Sequence, residues 1–304
     1  MTHSPLVHIG YHKTASSWLQ QALLPALSAQ VSLFDHPQLW DELMLPSGLV
    51  FDAGRCKSYL DGLVAQARQE GKLAVFSSER LSGNPHSGGY DAAEMANRIR
   101  ACFDEVRLLI VVREQNAILA SNYKQYIKMG GTCTLEEYLT PPWDGRVPHF
   151  RLDNFRYHHL LEYYCRLFGA DKVLVLPYEL LRQRPQQFAD TLIEHMGLEP
   201  VPLAPAVFEQ GVNVSMNDLQ LRLKRWANKL SGNDSLHPVK PLAPALANWC
   251  FQQIEKLGDR DFARNHSMRI APRVEAVVGD YYADSNRQLQ AYVAADLSAL
   301  GYRV

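Results

Sequence analysis

The sequence predicts an α/β fold in three layers, with a central, mainly parallel sheet, helices on both of its faces, and further helices at the C-terminal end. Short β-branched runs alternate with segments of helical periodicity, the order expected when parallel strands are joined by helical crossovers. Strands alternating with helices imply a parallel sheet covered on both faces, with Leu108-Leu109-Ile110-Val111-Val112 among the longest apolar runs. Beyond residue 200 such runs cease, and Pro-marked linkers separate helical stretches.

The first unit is Leu6-Val7-His8-Ile9-Gly10, a short strand ending in glycine. It is followed by Ser16 to Leu27, where Trp18, Leu19, Ala22, Leu23 and Leu27 fall at helical spacing. The pattern recurs with a helix in the Ser58 to Gln69 region before a strand at Lys72 to Phe76. Val106 to Val112 reads as a strand before a helix, and Lys172 to Leu176 as a strand before Tyr178-Glu179-Leu180-Leu181. Tyr157 to Phe168 carries one apolar stripe and stops at Gly169, where a helix is expected to end. Residues 130–156, with Gly130-Gly131, Pro141-Pro142 and Pro148, read as an irregular excursion above the sheet. C-terminal helices are expected at 216–230, 242–257 and 284–300, the last capped by Asp284 or Ser285.

At 304 residues the chain is long enough for a large core, and a single domain over 1–304 is expected, with its core in 6–198 and a helical part in 199–304. A net charge of -1 argues against a broad surface for nucleic acid but leaves room for a local anion pocket. Five scattered cysteines without CxxC spacing, no basic-plus-apolar leader, and no apolar run near the ~20 residues of a membrane span point to a reduced, cytoplasmic setting. On that reading the Asn-x-Ser triplets at Asn213, Asn233 and Asn265 are chance.

The chemistry concentrates in Gly10-Tyr11-His12-Lys13-Thr14-Ala15-Ser16-Ser17-Trp18. A loop leaving a parallel strand and opening a helix turns backbone N–H groups and the positive helix end toward an anion. Lys13 adds a full charge, and Thr14, Ser16 and Ser17 add hydroxyl donors. On a purely structural reading, Ser16 caps the helix, Lys13 is solvated and Trp18 is core. A Walker A loop needs GxxxxGK[ST], whereas His12 precedes Lys13 here. At the end of another strand stands Arg113, where a nucleotide-triphosphate enzyme usually presents a magnesium-binding Asp. From Ser121, the residues Lys124, Gln125 and Lys128 continue one polar, basic helical face. Two anion sites at the carboxyl edge of one sheet suit a nucleotide with phosphates at both its 5′ and 3′ ends.

His12-Lys13-Thr14-Ala15-Ser16-Ser17-Trp18-Leu19 resembles the 5′-phosphosulfate loop, PKxGTTxL, of sulfotransferases that use 3′-phosphoadenosine 5′-phosphosulfate (PAPS). Arg113 followed eight residues later by Ser121 resembles their 3′-phosphate motif, and Val173 to Leu181 with Met196-Gly197-Leu198 resembles their later strand, Tyr-Glu pair and closing segment. The resemblance covers residues 6–198 and implies a P-loop-like sandwich that binds PAPS through Lys13, Thr14, Ala15, Ser16, Ser17, Trp18, Arg113, Ser121 and Tyr178, without metal. It implies a carboxylate base at Glu79, which follows the strand ending at Phe76. There Lys13 stabilises the leaving oxygen as adenosine 3′,5′-bisphosphate departs, with His12 as second candidate base. In a structural reading Glu79 forms an ion pair with Arg80. Ala15 and His12 depart from the family's glycine and proline, so Ala15 is expected in an ordinary backbone angle or in a locally different loop. The family's late Arg-Lys-Gly segment is missing, with Asn213 and Ser215 as candidate substitutes.

His158 and Glu162 have an i, i+4 metal spacing, but no further ligands follow in a recognisable pattern. Trp143, His149, Phe150 and Arg151 are candidates for facing the acceptor. That acceptor is expected to be a small molecule or glycan hydroxyl, with peripheral membrane contact if it is a glycolipid. The competing functions are a P-loop kinase acting on a small molecule and a non-catalytic nucleotide-binding protein.

Overall fold

In a computed structural model the described residues are 4–35, 37–142, 148–209, 216, 218–231, 249, 252–253 and 270–304. The strands are β1 (Leu6–His8), β2 (Val31–Phe34), β3 (Leu73–Ser77), β4 (Arg107–Val112) and β5 (Val173–Pro177). They form one sheet in the order β2-β3-β1-β4-β5, and every pairing is parallel. β2 escaped the sequence reading because Val31-Ser32-Leu33-Phe34 is only four residues long, with its two middle residues half-buried at a sheet edge.

Alternate residues of each strand feed two separate cores, as the pleat requires. Val7, Phe76, Leu108, Ile110, Val112 and Val175 face one core, and Leu6, Leu73, Val75, Leu109, Val111 and Leu176 the other. Helices Ala53–Gln69, Ala92–Cys102, Gln115–Lys128 and Tyr157–Phe168 contribute to the first, and Pro185–Met196 to the second. The Ala53–Gln69 helix starts earlier than its apolar pattern suggested because Asp52 accepts a hydrogen bond from the Arg55 N–H. Within the 130–156 excursion, Thr134 and Glu137 form a capping box that starts a short helix, Leu135–Leu139.

The C-terminal expectations hold in part. A helix runs over Asp218–Ser231, while the one expected at 242–257 falls largely outside the described residues, as does the Leu236-His237-Pro238 linker. The single helix expected over 284–300 is corrected to Ala283–Leu289 followed by a tight turn, Gln290–Tyr292. Gln290 ends it: its amide donates to the carbonyls of Val293 and Ala295 at 2.9 Å, and its Oε1 accepts from the Leu297 N–H. Asp284 and Ser285 lie inside the helix rather than capping it, since Tyr282 holds the cap position. Leu289, Val293, Leu297 and Leu300 are nonetheless all buried in the first core.

Candidate active site

The β1 loop, the end of β3 and the end of β4 meet because β1 lies between β3 and β4. The Ser78 N–H donates to the His8 carbonyl and the Tyr11 N–H to Val111, so Glu79 and Arg113 leave the sheet on opposite sides of the loop. Gly10 is required for close approach: a Cβ there would stand 2.6 Å from Nε2 of the buried His8.

The loop is turned by two residues in the left-handed region, Lys13 and Ala15, each with φ of 69°. This corrects the expectation for Ala15: it keeps the backbone that a glycine would adopt and bears the steric strain of its Cβ, of order 1–2 kcal/mol. Ala15→Gly is therefore expected to stabilise the fold by about 0.5–1 kcal/mol after the added chain entropy of glycine, a rise of about 2 °C in melting temperature by calorimetry.

From Ala15 the helix begins as Ser16–Trp18, passes through one wider π turn, Leu19–Leu23, and ends at Leu24–Ala26. Its cap position makes no side-chain hydrogen bond, so Ser16 is not a cap; its hydroxyl is buried and without a partner among the described residues. Thr14 donates to the Tyr11 carbonyl and braces the loop from inside. Ser17 and Lys13 are exposed at the mouth. Partial burial lowers the Lys13 pKa first, then the charges of Lys128 and Arg113, while Glu79 raises it. An incoming anion would relieve that field. Trp18 packs edge-on to Phe188 and along Phe208, with its indole N–H on the Val207 carbonyl at 2.8 Å.

Arg113 ties the second element to the first. Its Nη1 donates to the Lys13 carbonyl at 2.9 Å, its guanidinium lies 4.7 Å over the Tyr178 ring, and its buried Nε has no partner among the described residues. Glu114 does not pair with it but caps the Gln115–Lys128 helix, accepting from the N–H groups of Asn116 and Ala117 at 2.8 Å. Ser121 is half-buried on that helix, which ends at Lys128 within electrostatic reach of Lys13.

Glu79 is half-buried in a turn, Glu79–Ser82, close enough to His8 and Lys13 to act on both electrostatically. Arg80 pairs with Asp91 rather than with Glu79. The His12 pKa is driven down to about 4 by burial, then by Arg80 and Lys13, and its buried Nε2 has no partner among the described residues. Of the other candidates, Phe150 is core against Tyr138, while Arg151 pairs with Asp153. His149 is half-buried with its Nδ1 unpartnered among the described residues, and Trp143 lies outside them, as do Asn213 and Ser215. His158 donates to or accepts from Ser285 Oγ at 2.7 Å, a packing role that joins two helices. Among the described residues no group of three or more His, Cys, Asp or Glu side chains is placed to hold a metal.

Sequence reasoning passed over His8 and Gln20. His8 shares Ser77 Oγ with the Gln20 amide at 2.8 and 3.0 Å, directly under the loop. A histidine within a strand gives no pattern to notice. Burial holds its pKa down at about 4, opposed by Glu79. Since the unfolded chain binds the proton near pH 6.5 and the folded chain does not, stability should fall as pH drops from about 6.5 toward 4, by about 1–3 kcal/mol from this residue. Melting temperatures across that window should show a shallower slope in His8→Asn.

Among solved structures, a sulfotransferase from Alicyclobacillus acidocaldarius superposes on this chain with a TM-score of 0.58 at 13% identity, covering 98% of each chain. This chain has the sulfotransferase fold. Lower scores are found for the sulfotransferase domain of the Synechococcus PCC 7002 olefin synthase, TM-score 0.41 at 14% identity over 85% of this chain and 96% of the other. Mouse sulfotransferase SULT7A1, solved in complex with PAP, gives 0.43 at 12% over 96% and 88%. The fold assignment rests on the first of these. No protein-family model matches the sequence, and no curated protein does either. In a sulfotransferase fold the β1 loop, Glu79 and Arg113 occupy the carboxyl edge of the sheet, where open α/β sheets bind ligands.

Proposed function

We propose that this chain transfers the sulfuryl group of PAPS to a hydroxyl of a carbohydrate or glycolipid acceptor and releases adenosine 3′,5′-bisphosphate. The observation that carries the reading is the Arg113 hydrogen bond to the Lys13 carbonyl, which couples two cationic anion sites at one sheet edge. The orphaned Ser16 hydroxyl and Arg113 Nε fit a ligand rich in phosphate oxygens. Lys13, Thr14, Ala15, Ser16, Ser17 and Trp18 would hold the 5′ end, and Arg113, Ser121 and Tyr178 the 3′ end.

In this reading Glu79 takes the acceptor's proton as its oxygen attacks sulfur in line. The bond from sulfur to the bridging oxygen of the 5′-phosphate breaks, and Lys13 stabilises the charge left on that oxygen. His12, held neutral and unpartnered, is the alternative base. A hydroxyl acceptor on a sugar is favoured because the residue at this strand end is a carboxylate, the type that the resemblance associates with carbohydrate-modifying members.

Thermal shift tests the nucleotide directly. Adenosine 3′,5′-bisphosphate should raise the melting temperature without magnesium, and ATP with magnesium should not. The reverse result would assign a kinase. A bisphosphate shift with no turnover across sugar, glycolipid, phenol and amine acceptors would assign a binding protein.

A further inference from the structure

Beside the Glu79 edge the chain holds a set of apolar side chains out in solvent. Leu49 is 97% exposed, Tyr90 77%, Val50 72% and Leu45 66%, with Trp40 at 37%. Four of these lie on one short stretch, residues 40–50, which is not left loose. Arg98, itself 3% exposed, donates to the carbonyls of Leu43 at 3.0 Å and Pro46 at 2.7 Å and stacks 4.4 Å over Phe51. Val50 and Phe51 N–H groups both return to the Ser47 carbonyl, closing the turn that lifts Leu49 and Val50. A buried guanidinium is thus used to fix a loop whose tip is aliphatic.

The patch borders the acceptor side at two points. Met44 Sδ lies 3.9 Å from Ser78 Oγ, next to Glu79. Tyr90 precedes Asp91, the partner of Arg80. At Gly48 the loop approaches Glu94 on the helix that follows Tyr90, since a Cβ there would meet Glu94 Oε1 at 3.2 Å.

We infer that the 45–50 loop, with Trp40 and Tyr90 at its flanks, is a lip that docks on a zwitterionic lipid surface and presents the Glu79 edge to acceptors displayed there. This rests on Glu79 marking the acceptor side, as proposed above. An aliphatic tip with Trp and Tyr beside it is the composition that settles at a membrane interface, where their amphipathic rings sit at headgroup level. Charge complementarity selects the kind of surface. The 40–50 stretch and Tyr90 carry no Lys or Arg, and the cations that hold or border them are paired, Arg55 with Glu42, Arg98 with Glu94 and Arg80 with Asp91, so the lip has no cation of its own to recruit anionic headgroups. Docking is by insertion, and salt should leave it unchanged.

Flotation of the full chain with phosphatidylcholine vesicles tests this, read together with the thermal shift by adenosine 3′,5′-bisphosphate. Wild type should float with the vesicles equally at low and high salt. Leu49→Asp with Val50→Asp, at two exposed positions, should lower the bound fraction by about tenfold or more while the nucleotide shift persists. Vesicle binding without a nucleotide shift would sink the cofactor reading and leave the lip standing. Absent flotation, flotation abolished by salt, or flotation unaffected by the double variant would overturn the lip. So would a dimer in sedimentation that the double variant dissolves, because the patch would then be covered by a second copy.

Discussion

Glu79→Gln is expected to lower kcat with PAPS by about 10²–10⁴-fold, the usual contribution of a positioned base, while the thermal shift by adenosine 3′,5′-bisphosphate stays as in wild type. The substitution is close to isosteric; it removes the ability to accept a proton together with the negative charge that acts on His8 and Lys13. Among the described residues the half-buried carboxylate has no ion pair to lose to this change, because Arg80 is held by Asp91. Near-normal turnover in Glu79→Gln would pass the role to His12, the neighbour of Lys13 in the loop, whose buried Nε2 has no partner among the described residues. His12→Asn would then carry the loss.

Lys13→Ala is expected to cost about 10²–10³-fold in kcat and to shrink the nucleotide shift as well, since in the proposed reading Lys13 serves both binding and the leaving oxygen. The two variants separate cleanly: one affects chemistry alone, the other chemistry and binding. Lys13→Ala also removes a side chain from a residue at φ of 69°, but the backbone strain remains because Ala retains the Cβ. Loss of activity in this variant therefore reports the ammonium rather than a relaxed loop. Turnover unchanged in Lys13→Ala would remove the loop from the reaction.

Much of the sheet was readable in the residues. The runs at Leu6–His8, Leu73–Ser77, Arg107–Val112 and Val173–Pro177 are apolar and bounded by turn residues, and all four are strands. β2 was not readable, because four residues at an edge carry too little pattern to stand out. Val293, Leu297 and Leu300 kept helical spacing and are buried, yet the chain between them is folded by Gln290, whose side chain outcompetes the helix for backbone partners. The loop's position was legible from Lys13 and its hydroxyl neighbours, whereas its conformation was not. The departure from the family's glycine pointed to an ordinary backbone angle at Ala15 or to a locally different loop, whereas tertiary anchoring through Thr14 and Arg113 holds it in the left-handed region. Where the sheet topology alone brings residues together, as with His8, Ser77 and Gln20, single-sequence reasoning had nothing to find.

The bond from Arg113 to the Lys13 carbonyl has a thermodynamic corollary. If, as proposed, this guanidinium grips the far phosphate of the nucleotide, it also fixes the peptide that carries Lys13, so affinity gained at one end of the ligand would be converted into alignment at the other. A donor lacking its 3′-phosphate would then react slowly even when saturating, because the missing contact is spent on geometry rather than on residence.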